Sequence, residues 1–220
     1  MNSLRSFAAV LSLICCSILL AIPAVADTVY DNGPINGSID AWTINFGFEI
    51  SDSFTLSGAS TTLTGLSFGA WLFPGDTITS VEVSITNFEG GGTTYFDQVV
   101  NLTQSNCVGN QYAFNVCTET GSFNGPTLAA GTYWLNMQNA VVPSGDPVYW
   151  DENDGVGCTS PGCPSIASND SVGTLGSESF TLVGNSSTTT TTGTVPEPGS
   201  LVLFASGALG LAAVVRRKLF

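Results

Sequence analysis

The densest set of chemically useful side chains in this 220-residue sequence lies between Asp146 and Gly155, which reads Asp-Pro-Val-Tyr-Trp-Asp-Glu-Asn-Asp-Gly. Asp151, Asn153 and Asp154 there place oxygen donors close together in a loop ending at Gly155, the hard donor type that Ca²⁺ takes. The run lacks EF-hand spacing and its final Glu, so a solvated acidic loop is the competing reading; a structural Ca²⁺ is the one cofactor the sequence suggests. Tyr149 and Trp150, beside these acids, could stack on a sugar ring, with Trp42, Trp71 and Trp134 as further candidates. Against this, aromatics on strands mostly fill sandwich cores.

The missing residue types narrow the chemistry further. The four basic residues are Arg5, Arg216, Arg217 and Lys218, there is no His, and the formal net charge is -13. Residues 27–195 therefore hold 16 acids and no base. Ser-His-Asp and Cys-His nucleophiles, Schiff-base chemistry, His-ligated metals and Arg phosphate clamps are all unavailable in that stretch. A body with nothing to neutralise phosphates excludes nucleic acid as a partner. Carboxylate pairs could still hydrolyse glycosides, but among 16 acids some pair is inevitable, and no catalytic residue is assigned.

Four cysteines follow the apolar N-terminal run: Cys107, Cys117, Cys158 and Cys163. An even count in an exported chain suggests disulfides, and four cysteines allow three pairings. Local pairing is favoured, because Cys107 and Cys117 flank an expected hairpin and a Pro-Gly turn lies between Cys158 and Cys163. A Cys₄ zinc site is the weaker alternative, since the close knuckle spacing is absent.

The elements that must position these groups read as strands. Ser80-Val-Glu-Val-Ser-Ile-Thr86 alternates strictly, with Val81, Val83 and Ile85 on one face. Similar readings cover 41–49, 53–56, 63–72, 95–102, 111–117, 132–138, 148–150 and 179–183, separated by Gly, Pro, Asn, Asp and Ser. The expected fold class is all-β, a two-sheet antiparallel sandwich of jelly-roll or carbohydrate-binding-like type, with removable terminal helices. The similar segments 53–56 and 179–182 are expected at opposite edges.

Both ends read as targeting segments. Arg5, the apolar run 7–22 and the small residues of Pro23-Ala-Val-Ala26 form a secretory signal peptide over 1–26. A β-sandwich domain would occupy 27–184 and a Ser/Thr-rich linker 185–194. After Pro196-Glu197-Pro198, the uncharged stretch 200–215 precedes Arg216, Arg217 and Lys218. A helix over that stretch reaches roughly 24 Å, short of a ~30 Å hydrocarbon core, so it suits a temporary stop, and the basic cluster stays cytoplasmic.

Residues 195–220 resemble the PEP-CTERM sorting signal of exported bacterial proteins: a Pro-Glu-Pro motif, a short transmembrane helix and a basic tail, in that order. The resemblance implies recognition by an exosortase, attachment to the membrane through the C-terminal helix before processing, and delivery to the cell surface or extracellular space, in association with extracellular polysaccharide or biofilm matrix. The expectation is a non-enzymatic exported acidic protein. A lectin-like carbohydrate-binding module, with or without Ca²⁺, and a carboxylate-dependent glycosidase are the alternatives.

Overall fold

The computed structural model describes residues 26–187. Among the described residues there are thirteen strands: β1 (Asp27–Asp31), β2 (Asp40–Thr43), β3 (Ile50–Leu56), β4 (Ser60–Leu72), β5 (Ser80–Phe88), β6 (Gly91–Gly109), β7 (Asn115–Ser122), β8 (Thr127–Leu128), β9 (Gly131–Val141), β10 (Tyr149–Glu152), β11 (Ala167–Asn169), β12 (Gly173–Leu175) and β13 (Phe180–Ser187). They hydrogen-bond in the order β1-β13-β4-β7-β6-β5-β9-β3-β11-β12, while β8 and β10 add to β4 and β2 adds to β10.

The expected all-β antiparallel architecture is present, with one difference: a single ladder curls over itself to make the sandwich-like layers. The 19-residue β6 makes the bend. Its first half pairs β5, from Gly91↔Phe88 to Asn101↔Ser80. From Leu102↔Gly121 onward it pairs β7 instead. A strand that changes partners part-way turns a corner between layers.

Period-two patterning places the core. Val81, Val83 and Ile85 are fully buried, as their alternation requires, and Ile50, Phe54 and Leu56 do the same on β3. They pack with Phe68, Leu135, Met137, Trp150 and Phe180 in one cluster. Each large apolar side chain removed from water there contributes about 1.5–3 kcal/mol.

Several sequence boundaries shift. The segments 53–56 and 179–182 are not edges: β3 lies between β9 and β11, and β13 between β1 and β4. Residues 110–114 form a turn, not a strand, and β13 runs on to Ser187 by pairing with Ser60, so three residues assigned to the linker belong to the sheet. The terminal helices, the signal peptide and the sorting motif lie outside the described residues.

Candidate functional site

On β4, Trp71 stands opposite Val116 of β7 on one side and Tyr149 of β10 on the other. Alternation puts Tyr149 and Asp151 on the same face as Trp71, and Trp150 on the opposite one. The Trp71 indole donates through Nε1 to Asp151 Oδ1 at 2.6 Å. Asp151 also accepts from the backbone amides of Asn36, at 3.0 Å, and Gly37, at 2.9 Å. One fully buried carboxylate thus clamps the segment Ile35–Ile39 across the sheet. Gly37 is required there twice over, since its φ is +62° and a Cβ would come within 2.7 Å of Val116 Cγ2.

The β6–β7 hairpin supplies the other wall. Its turn is built by Asn110, whose Oδ1 accepts from the amides of Tyr112 and Phe114, both at 3.0 Å. Asn110 Nδ2 donates to the Gly37 carbonyl at 3.2 Å, docking the turn on the clamped segment. Below the turn the Cys107–Cys117 disulfide ties the two strands, Cα to Cα 4.0 Å apart. Tyr112 stacks on Trp71 with ring centroids 5.5 Å apart, and Phe114 contacts Trp71, Phe73 and Tyr149. Together Ile39, Asp40, Ala41, Trp71, Tyr112, Phe114 and Tyr149 line an open groove of about 450 Å³. Tyr112 is 51% exposed, so the ring face turned away from Trp71 is offered to solvent.

The residues singled out from sequence separate. Tyr149 lines the groove. Trp150 does not: it is fully buried, donates through Nε1 to the Ser179 carbonyl at 2.9 Å, and meets Phe68 and Phe180 edge-on. It is a core residue with no face for a ligand. The Ca²⁺ donor set is also dispersed into structural roles. Both Asp151 oxygens are taken by N–H donors. Asn153 is fully buried, donates to the Asn32 carbonyl and accepts from the Gly155 amide. Asp154 is exposed, with φ of 55° in the following turn. Among the described residues no group of three or more His, Cys, Asp or Glu is placed to hold a metal ion. Of the three possible cysteine pairings the local one is present, Cys107–Cys117 and Cys158–Cys163.

A second feature escaped the sequence reading. Asp52, Glu119 and Glu178 are fully buried without a cation. Burial pushes Asp52 up to about 7, even though the Glu178 amide and the Asn32 side chain donate to its Oδ2. Burial alone pushes Glu119 up to about 8, and neither of its oxygens has a partner. Glu178 is held well above the usual carboxylate range by burial and then by the Asp52, Glu152 and Asp151 charges. Glu152 is raised by burial and held down in part by the Trp42 indole, which donates to its Oε2 at 2.7 Å. The signal was available in the alternation Ile50-x-Asp52-x-Phe54-x-Leu56, which sends Asp52 inward.

None of the curated proteins compared with the chain matches it. A model of the PEP-CTERM protein-sorting motif does match, over residues 194–218. That span contains Pro196-Glu197-Pro198 and the basic cluster Arg216, Arg217 and Lys218. No helix among the described residues is long and apolar enough to cross a membrane. The chain therefore carries a PEP-CTERM sorting motif behind an all-β body and is an exported protein of the kind an exosortase processes.

Proposed function

We propose that this protein is a non-enzymatic component of the cell surface or extracellular matrix, sorted by an exosortase, whose body retains neutral polysaccharide in the groove beside Trp71. The observation that carries the reading is the exposed face of Tyr112 backed by Trp71, with Phe114, Tyr149 and the Asp40 carboxylate around it. Sugar rings present an axial C–H face to aromatic planes and hydroxyls to carboxylates, and a groove of this size lies within the usual ~300–1,000 Å³ of small-molecule sites. The charge supports a neutral glycan, because a body with 16 acids and no base repels an anionic one.

A glycosidase needs one carboxyl held protonated beside an ionised partner at the substrate. Here Asp52 and Glu119, pushed up to about 7 and about 8, are fully buried in the sandwich, and Glu152, the raised acid opposite groove-lining Asp40, is buried with one oxygen taken by the Trp42 indole. That favours binding over hydrolysis. The role of the tail is tested by replacing Glu197 with Ala and following the protein in cell fractions. Accumulation of an uncut membrane-bound form is expected, and normal release would count against exosortase sorting. The role of the body is tested by affinity electrophoresis in gels containing a neutral β-glucan. Retardation that disappears in Tyr112→Ala is expected; unretarded wild-type protein would remove the binding reading.

A further inference from the structure

Next to the aromatic groove lies a second depression, of about 430 Å³, with a different chemistry. Its walls carry the hydroxyls of Ser38 and Thr118 and the carboxamides of Asn106 and Gln111, with Val108 and Val116 as apolar floor. The neighbouring carboxamides of Asn36 and Asn110 are consumed in building the walls: Asn36 Oδ1 accepts from the Ser38 amide at 2.8 Å, and Asn110 holds its own turn and the Gly37 carbonyl. Asn106 and Gln111 are instead exposed, and among the described residues the Gln111 side chain makes one long contact, 3.5 Å to the Ser38 carbonyl.

The linings of the two depressions are neighbours along the chain at two points. Ser38 and Ile39 are consecutive residues, as are Gln111 and Tyr112, and in each pair the first lines the polar trough and the second the aromatic groove. The same clamp, Asp151 on the amides of Asn36 and Gly37, and the same disulfide-tied hairpin hold both sides in register. Asn106 is also fixed in an unusual backbone conformation, with φ of 51°, one residue before Cys107.

We infer that the trough and the groove form one bipartite cleft for a linear neutral polysaccharide, in which the aromatic groove holds the first two sugar units and the carboxamides of Asn106 and Gln111 hydrogen-bond the hydroxyls of units further along the chain. The inference rests on the glycan-binding reading and deepens it: recognition becomes dependent on chain length, because a short oligosaccharide fills only one half. Amides suit uncharged hydroxyls because each offers both a donor and an acceptor without adding charge. Adjoining subsites gain affinity because the second contact is made within an already bound chain.

The test titrates the full chain in detergent with neutral β-glucan oligosaccharides of two and of six units, reading tryptophan and tyrosine fluorescence and calorimetry. The six-unit ligand is expected to bind about tenfold or more tightly than the two-unit one. In the double variant Asn106→Ala, Gln111→Ala that advantage is expected to disappear while disaccharide binding stays within about twofold. Equal affinity for the two lengths, or a double variant that keeps the full advantage, would overturn the bipartite cleft while leaving the aromatic site standing. Absence of binding by either oligosaccharide would overturn both readings together. Thermal melting of the double variant is run alongside; alanine must take up the left-handed φ of 51° that Asn106 holds, so a slightly lowered melting temperature is expected, and Gln111→Glu, which leaves that backbone position intact and places a charge in the trough, gives an independent loss of the six-unit advantage.

Discussion

Glu119→Met should stabilise this protein, and by an amount that grows with pH. Glu119 sits on β7 in register with Phe68 of β4 and Gln104 of β6, fully buried and with both carboxyl oxygens unpartnered. Burial raises its carboxyl from 4.5 to about 8. Below the lower value the group is protonated in both the folded and unfolded chain, and the native state suffers only the loss of the neutral carboxyl's bonds to water, about 1–3 kcal/mol. Between the two values the unfolded chain ionises while the folded chain keeps its proton. Stability is therefore lost as pH rises through that window, at up to about 1.4 kcal/mol per pH unit, or roughly 5 kcal/mol in all. Methionine has a similar volume and no charge to bury. Urea unfolding at fixed salt should show a gain of about 1–3 kcal/mol near pH 5 and several kcal/mol more near pH 8.5. Wild type retains further pH dependence from Asp52 and Glu178, so the quantity read is the difference between the two proteins. Parallel stability curves for variant and wild type across this range would refute the reasoning, as would a destabilised variant at the alkaline end.

Other perturbations separate the core from the groove. Trp150→Ala should cost about 3–5 kcal/mol by urea unfolding, whereas Tyr112→Ala, which removes a half-exposed ring, should cost under about 1 kcal/mol and act on glycan retention instead. Asp151→Ala removes the acceptor of three N–H groups and should cost about 2–4 kcal/mol; it should also weaken the groove, seen as proteolytic nicking between Ile35 and Ile39. Reducing both disulfides should lower stability by about 2–3 kcal/mol for each short loop, with the four body cysteines becoming alkylated as the chain unfolds.

The fold was legible wherever one face of a strand is buried and the other is not. Val81, Val83 and Ile85 show it: alternation alone set their strand, face and burial. The same rule failed at the ends of β6 and β13. Alternation ends these strands at 102 and 183, but β6 continues beyond its partner β5 to take up β7, and β13 continues along β4 through Gly184, Asn185, Ser186 and Ser187, which offer no apolar face. Short strands such as β8, β11 and β12 carry two or three residues each, too few for any period to register.

The site was half legible for a related reason. Sequence proximity drew attention to Tyr149, Trp150 and the acids after them, yet consecutive strand residues point to opposite faces, so Tyr149 went to the groove and Trp150 to the core. The groove is instead assembled from Trp71, Tyr112 and Tyr149, which are far apart in the chain and meet only through the β4–β7 and β4–β10 pairings. Asp151 was noticed for its charge, and its actual use is that of a hydrogen-bond acceptor for backbone amides, a role that spacing does not encode.

The absence of bases in residues 27–195 was readable from composition, and its consequence for the interior follows from it. With no Lys or Arg to pair, an inward carboxylate at Asp52, Glu119 or Glu178 can lower its cost only through neighbouring N–H donors or by keeping its proton. Asp52 takes the first route in part, through the Glu178 amide and Asn32, and its carboxyl is pushed only to about 7. Glu119 has no such donor and is pushed to about 8. The ordering of the two tracks the donors each has, and it makes the body most stable on the acid side of neutrality, where both acids are neutral.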